Sequence, residues 1–154
     1  MNLLVWIEES ALAEYVRVSA LGYPAMITLH SLGLAIIVGL SVVLSLRVLG
    51  LYKAIPFSSL QRLLPLAWVG FIVNFLSGSG LFAAQATTYV TDFEFLLKMF
   101  FVLLGVIFVG LMQGAVSAVV KSGAAARGNA RIFAIGTIVA WFGATVTGRL
   151  IAYL

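Results

Sequence analysis

Cysteine is absent from the 154 residues. That excludes thiolate metal ligands, thiol nucleophiles and disulfides. Histidine occurs once, at His30, so one chain cannot supply a bis-histidine haem site. Charge is scarce, at 9% of residues, and only five residues are acidic: Glu8, Glu9, Glu14, Asp92 and Glu94. None of the five falls inside a long apolar run, so those runs hold no carboxylate pair for acid–base work and no Ser–His–Asp set. Phosphate-cradling glycine loops are also missing. The sequence therefore predicts a protein that is not an enzyme.

What is present is hydrophobic residue, 63% of the chain. Four stretches carry no Asp, Glu, Lys or Arg: 18–46, 63–91, 99–120 and 132–148. About 20 apolar residues cross a bilayer core, so each stretch is a candidate transmembrane helix. The pattern predicts an all-α integral membrane protein. It is a single domain, a four-helix transmembrane bundle with spans at about 20–49, 63–87, 94–120 and 132–152. An amphipathic stretch, about 2–17, precedes them and predicts a short interfacial helix with Trp6 and Tyr15 at headgroup depth.

The linkers sort by sign. Arg47, Lys53 and Arg62 follow the first span, and Lys121, Arg127 and Arg131 follow the third, with no acid among them. All the acids lie on the other side. The positive-inside rule then faces the basic linkers to the cytoplasm of a bacterial inner membrane and leaves both termini periplasmic. The net charge of +4 belongs to this topology and does not indicate nucleic acid.

Polar groups inside a membrane are costly and mark candidate sites. His30 lies about nine residues into the first span, about 13 Å deep at 1.5 Å per residue. Asn74 lies at similar depth in the second span, Lys98 near the start of the third and Arg149 near the end of the fourth. All four fall in the outer half, while the inner half is nearly bare apart from Gln113. The expectation is an outer pocket lined by His30, Asn74, Lys98 and Arg149 for a lipid, a quinone head group or a cofactor. Two other uses of His30 stay open. Met26, His30 and Met99 form a soft ligand set suited to copper, and His30 alone could hold a b-type haem with a second ligand from elsewhere. Simple packing roles stand beside these: Lys98 and Arg149 can snorkel to headgroups, and Asn74 can clamp two helices.

Small residues suggest where helices approach. Ser77-Gly78-Ser79-Gly80 in the second span allows close packing or room for a ligand. Gly110 and Gly114 form a G-x-x-x-G in the third span, suited to contact within the chain or between copies. Gly136, Ala140, Ala144 and Gly148 give the fourth span one smooth face. The expected partners are lipids and other membrane subunits, or a second copy.

His30-Ser31-Leu32-Gly33, Leu46-Arg47-Val48-Leu49-Gly50, Pro65, Gly78, Gly80-Leu81-Phe82, Phe95 and Lys98 form a further series. Over about residues 25–105 it resembles a group of uncharacterised four-helix bacterial membrane proteins known only as a domain of unknown function. More remotely, it is similar to the copper-resistance D family. The resemblance implies His30, Arg47 and Lys98 as signature residues and implies no activity. Unlike the copper families, this chain has no second His and no Met-rich outer loop.

Overall fold

The computed structural model describes residues 3–122, 128–151 and 153. It is helical throughout, with no strand among those residues. The helices are α1 (Leu3–Glu8), α2 (Ala11–Val18), α3 (Gly22–Val48), α4 (Phe57–Ala83), α5 (Ala86–Tyr89), α6 (Phe93–Ser122) and α7 (Gly128–Leu150). Four of them, α3, α4, α6 and α7, are long and apolar enough to cross a membrane. Most of their surface is exposed and apolar, including Leu32, Ile72, Leu103 and Phe142. A bundle in water would hide such residues, whereas lipid solvates them. This is an all-α, multi-pass membrane bundle.

Several boundaries differ from the sequence expectation. The interfacial stretch is two helices, not one. Ser10 interrupts it by capping α2, its hydroxyl accepting from the Ala13 amide at 3.3 Å. The second span begins at Phe57 rather than near 63, because Pro56 takes an extended conformation as its N-cap and frees the chain to turn helical at once. Pro65 is consequently inside the helix, not in its first turn. That span ends at Ala83 rather than 87, and α5 follows Gln85 as a separate turn. The fourth span starts at Gly128, four residues before 132. Of the turn expected at 121–131, residues 123–127 lie outside the described residues.

The spans form two antiparallel hairpins, α3–α4 and α6–α7, joined mainly through α3 against α7. At the basic end the first hairpin is closed by Arg47. Its Nε donates to the Ile55 carbonyl at 2.6 Å and its guanidinium lies 4.2 Å over the Phe57 ring. Gly50, at φ 101°, supplies the left-handed residue that ends α3. Along its length the hairpin is drawn together at Gly33. A Cβ there would lie 2.5 Å from the Asn74 amide nitrogen and 2.6 Å from the Gly70 carbonyl.

The second hairpin uses a different device. Rings from each helix fill the glycine notches of the other: Phe101 faces Gly143, Trp141 faces Gly105 and Phe108 faces Gly136. Gly110 and Gly114 meet nothing within 4 Å, so the G-x-x-x-G is not used within the chain. The fourth span's small face is used, with Ala140 and Ala144 buried.

Two apolar core layers follow. Leu44, Leu60, Met112, Val116 and Ala134 fill the level nearest the basic end. Ile37, Ala67, Val109, Trp141 and Ala144 fill the centre. At the other end, which α1 and α2 cap, the facing positions are polar instead.

Gly33→Ala is expected to destabilise the bundle by about 1–3 kcal/mol, because backbone on the partner helix cannot yield to the new methyl. Gly110→Ala, in open space, is expected to leave stability unchanged or slightly raised. Thermal unfolding in detergent, read by loss of helical circular dichroism, measures both.

Candidate functional site

One heptad from the central core toward the cap end, each long helix presents a polar or small residue to the bundle interior. His30 lies seven residues before Ile37 on α3, and Asn74 seven after Ala67 on α4. Lys98 lies seven before Gly105 on α6, and Thr147 seven after Ala140 on α7. Seven residues are nearly two full turns, so each follows its helix's buried face.

His30 and Asn74 are joined reciprocally. Asn74 Nδ2 donates to the His30 carbonyl at 2.8 Å, and His30 Nδ1 lies 3.0 Å from the Asn74 carbonyl oxygen. That oxygen has only lone pairs to offer, so Nδ1 carries the proton and donates. The amide Nδ2 is also 3.3 Å from Nδ1, a longer contact from a group already committed to the His30 carbonyl. With Nδ1 protonated, Nε2 of the neutral ring is left with a free lone pair. Gly78 gives the ring its place: a Cβ there would lie 3.0 Å from His30 Cε1. Ser77 Oγ donates back to the Val73 carbonyl at 2.6 Å and completes the local pairing.

Lys98, one heptad nearer the cap end than Gly105, is the cation at this level. Its stem packs on Gly148, where a Cβ would lie 3.5 Å from Lys98 Cε. No acid among the described residues pairs with it. Asp92 is engaged elsewhere, its Oδ1 accepting the Phe95 amide at 2.9 Å as the cap of α6. Of the four expected pocket residues, His30 and Asn74 are joined directly, and Lys98 lies at the same level of the bundle, against Gly148. Arg149 is exposed at the end of α7 and has no described contact with them.

Of the copper set, Met26 and His30 lie one turn apart on α3 and Met99 lies on α6. Met26 packs its thioether against Gly80, where a Cβ would lie 3.3 Å from Sδ, while Met99 is 43% exposed on α6. No group of three or more His, Asp or Glu suited to a metal occurs among the described residues.

Above the polar level sits the cap. Ala13 and Val16 of α2 are buried against the ends of α3 and α4. Arg17 donates to the Ala84 carbonyl at 3.3 Å. Glu8 accepts from Thr87 twice, from Oγ1 at 2.6 Å and from the amide at 2.9 Å. These bonds, helped by Arg17, hold the Glu8 carboxyl below its ordinary range. Nothing local in the chain signals these links, because acid and hydroxyl are far apart along it. The aromatic stack beside them was equally hidden: Tyr89 lies 5.2 Å from Phe95, and Phe82 lies 5.5 Å from Phe95. Burial, with Tyr23 and Asp92 nearby, pushes the Tyr89 hydroxyl above its usual value and keeps it protonated at neutral pH.

No family model, curated protein or solved structure matches this chain.

Two outcomes test the site. Asn74→Ala removes one interhelical donor and is expected to cost about 0.5–1.5 kcal/mol, seen as a lower unfolding temperature. The Glu8 latch should depend on pH. Its lowered carboxyl contributes stability above the ordinary value of about 4.3, and that contribution is lost as the pH falls further through the folded value. Hydrogen exchange at the Thr87 amide is expected to speed up, relative to an unfolded reference, below about pH 4. Glu8→Gln, which keeps an acceptor, should abolish that pH dependence.

Proposed function

We propose that this chain is a small, non-enzymatic integral subunit or anchor within a larger bacterial inner-membrane assembly, with the cap end periplasmic. Its polar level holds the head group of a membrane amphiphile, a lipid or a quinone. The observation that carries this reading is the His30–Asn74 lock at the level of Lys98. The lock orients an imidazole whose Nε2 has no hydrogen-bond partner among the described residues, at the same level as a cation with no acid partner among them. In a membrane both features are expensive unless a further molecule meets them. The charge distribution supports the orientation, since Arg47, Lys53, Arg62, Lys121 and Arg131 all sit at the end away from the cap.

The subunit role is supported by shape. The spans use most of the chain, and the cap is a pair of short helices folded onto the bundle. Long apolar faces stay uncovered on all four spans, as suits helices that contact lipid or neighbouring subunits. We extend the proposal to kinship with the uncharacterised four-helix group, in which His30, Arg47 and Lys98 would be shared positions.

Mild purification from the native membrane, followed by solvent extraction and mass spectrometry, tests the reading. The expected result is a colourless, metal-free protein that releases a stoichiometric amphiphile and comes down with other membrane proteins. His30→Gln should release none. A Soret band or stoichiometric copper would replace this reading with a haem carrier or copper handling.

A further inference from the structure

The glycines of the second hairpin divide by level. Gly105, Gly136, Gly143 and Gly148 each face a ring or a lysine stem of the other helix. Gly110 and Gly114, nearer the basic end, meet nothing within 4 Å. An open groove of about 340 Å³ runs past them. Gly110, Gly114, Ala115 and Ala118 line it on α6, and Asn129 and Phe133 line it on α7. Ala115 and Phe133 also pack on the core layer at the basic end, so they form its floor. Gly110, Gly114 and Ala118 recur every four residues, and Lys121 follows Ala118 by three, so all four share one face of α6. From Gly110 to Lys121 that face is about 16 Å long at 1.5 Å per residue. Half of a hydrocarbon core about 30 Å thick is about 15 Å, so the groove and its charged end span one leaflet.

Lys121 ends the groove without a counter-charge. The chain has no acid after Glu94. Glu94 is in the first turn of α6 and Lys121 in the last, about 40 Å apart along the axis. Arg47, Lys53, Arg62 and Arg131 are at the same end as Lys121, so negative charge is lacking throughout this end. Asn129 adds a carboxamide to the groove there.

We infer that this groove binds a phospholipid whose head group carries net negative charge, in the leaflet at the basic end. One acyl chain lies along Gly110, Gly114 and Ala118, and the phosphate meets Lys121 and Asn129. The site is at the opposite end of the bundle from the polar level near the cap and does not depend on it. Shape selects the acyl chain, which is apolar, thin and flexible and so follows a lining of small residues. A second copy of the chain fits less well. Copies in one membrane stand the same way up, and a two-fold contact sets each groove against its own twin, hollow to hollow. Charge selects the head group. A phosphate without an ammonium neutralises the uncompensated cations, whereas an ethanolamine head group brings another cation to them. Basic pockets between spans hold anionic head groups for this reason.

Native mass spectrometry of the full chain in mild detergent tests the site. The chain is titrated with phosphatidylglycerol, or with phosphatidylethanolamine of the same acyl chains. A retained phosphatidylglycerol is expected, bound about fivefold more strongly than phosphatidylethanolamine, the worth of one lysine at an anionic membrane surface. Lys121→Gln should remove that preference. Gly114→Leu, which fills the groove, should abolish retention of either lipid. Gly39→Leu, at an exposed glycine of α3 that also meets nothing within 4 Å, should change neither. Unfolding temperature is recorded for every variant, so a misfolded one is recognised. In the unaltered chain, a phosphatidylglycerol with a photoreactive acyl chain should label residues 110–119 in preference to the stretch around Gly39. Retention that survives Gly114→Leu, or equal labelling of the two stretches, overturns the groove as the site. A preference that survives Lys121→Gln overturns the head-group assignment. A dimer that Gly114→Leu dissociates with or without lipid gives the groove to a second copy and overturns the lipid. His30→Gln should leave all these results unchanged, so failure here and failure of the cap-end reading are told apart.

Discussion

The close approach of α3 and α4 at Gly33 is the contact on which the rest of the structure depends. In lipid a backbone carbonyl is normally sealed within its own helix, and side chains of a neighbour meet it only when the two backbones nearly touch. Here they do. With no Cβ at Gly33 or Gly70, the Asn74 amide reaches the His30 carbonyl and the His30 ring reaches the Asn74 carbonyl. The polar pair thus exists because a non-polar contact brings it within range. It also returns something to the fold, since each bond crosses between helices. Packing and candidate chemistry in this half of the molecule are one arrangement.

The two hairpins solve the same problem differently, and the difference shapes the interior. In α6–α7, whole aromatic rings occupy glycine notches, which fills the hairpin and keeps its inner face apolar down to Lys98. In α3–α4, the notch residues meet backbone, an imidazole and a thioether. The hairpins touch well along α3 and α7 and poorly along α4 and α6. Where α4 and α6 lack backbone contact, longer polar or aromatic side chains span the gap, Gln61 to Ser117, Trp68 to Gln113 and Phe82 against Phe95. The cap, held through Glu8 and Thr87, covers the bundle's end but not its flank.

Much of the architecture could be read directly from the chain. Four charge-free stretches flanked by sorted charges announce four spans, because charged side chains are nearly excluded from hydrocarbon and so mark where it ends. His30, Asn74 and Lys98 were recognisable as candidates for the same reason. Boundaries were less legible. Pro56 begins α4 earlier than hydropathy suggests, since a polar helical turn can stand in the headgroup region as easily as a loop. Ser10 divides the interfacial stretch through a single hydroxyl cap. Gly110 and Gly114 of α6 look like Gly33 and Gly70 of α3 and α4 as sequence, yet only the second pair meets a neighbouring helix among the described residues. Nothing local to a glycine states which helix will face it.

The sequence by itself determined the number of spans, their order, their sorted flanking charges and the depth of each polar side chain. These follow from one-dimensional rules, the thickness of a bilayer and the cost of charge within it. The tertiary structure alone decided which polar residues meet. It joined His30 to Asn74, packed Lys98 on Gly148 and Met26 on Gly80, and left Arg149 exposed. Depth fixes how far along its helix a residue sits. Rotation about the helix axis and the crossing of helices fix its neighbours, and those come from the packing of small against large side chains over the whole bundle.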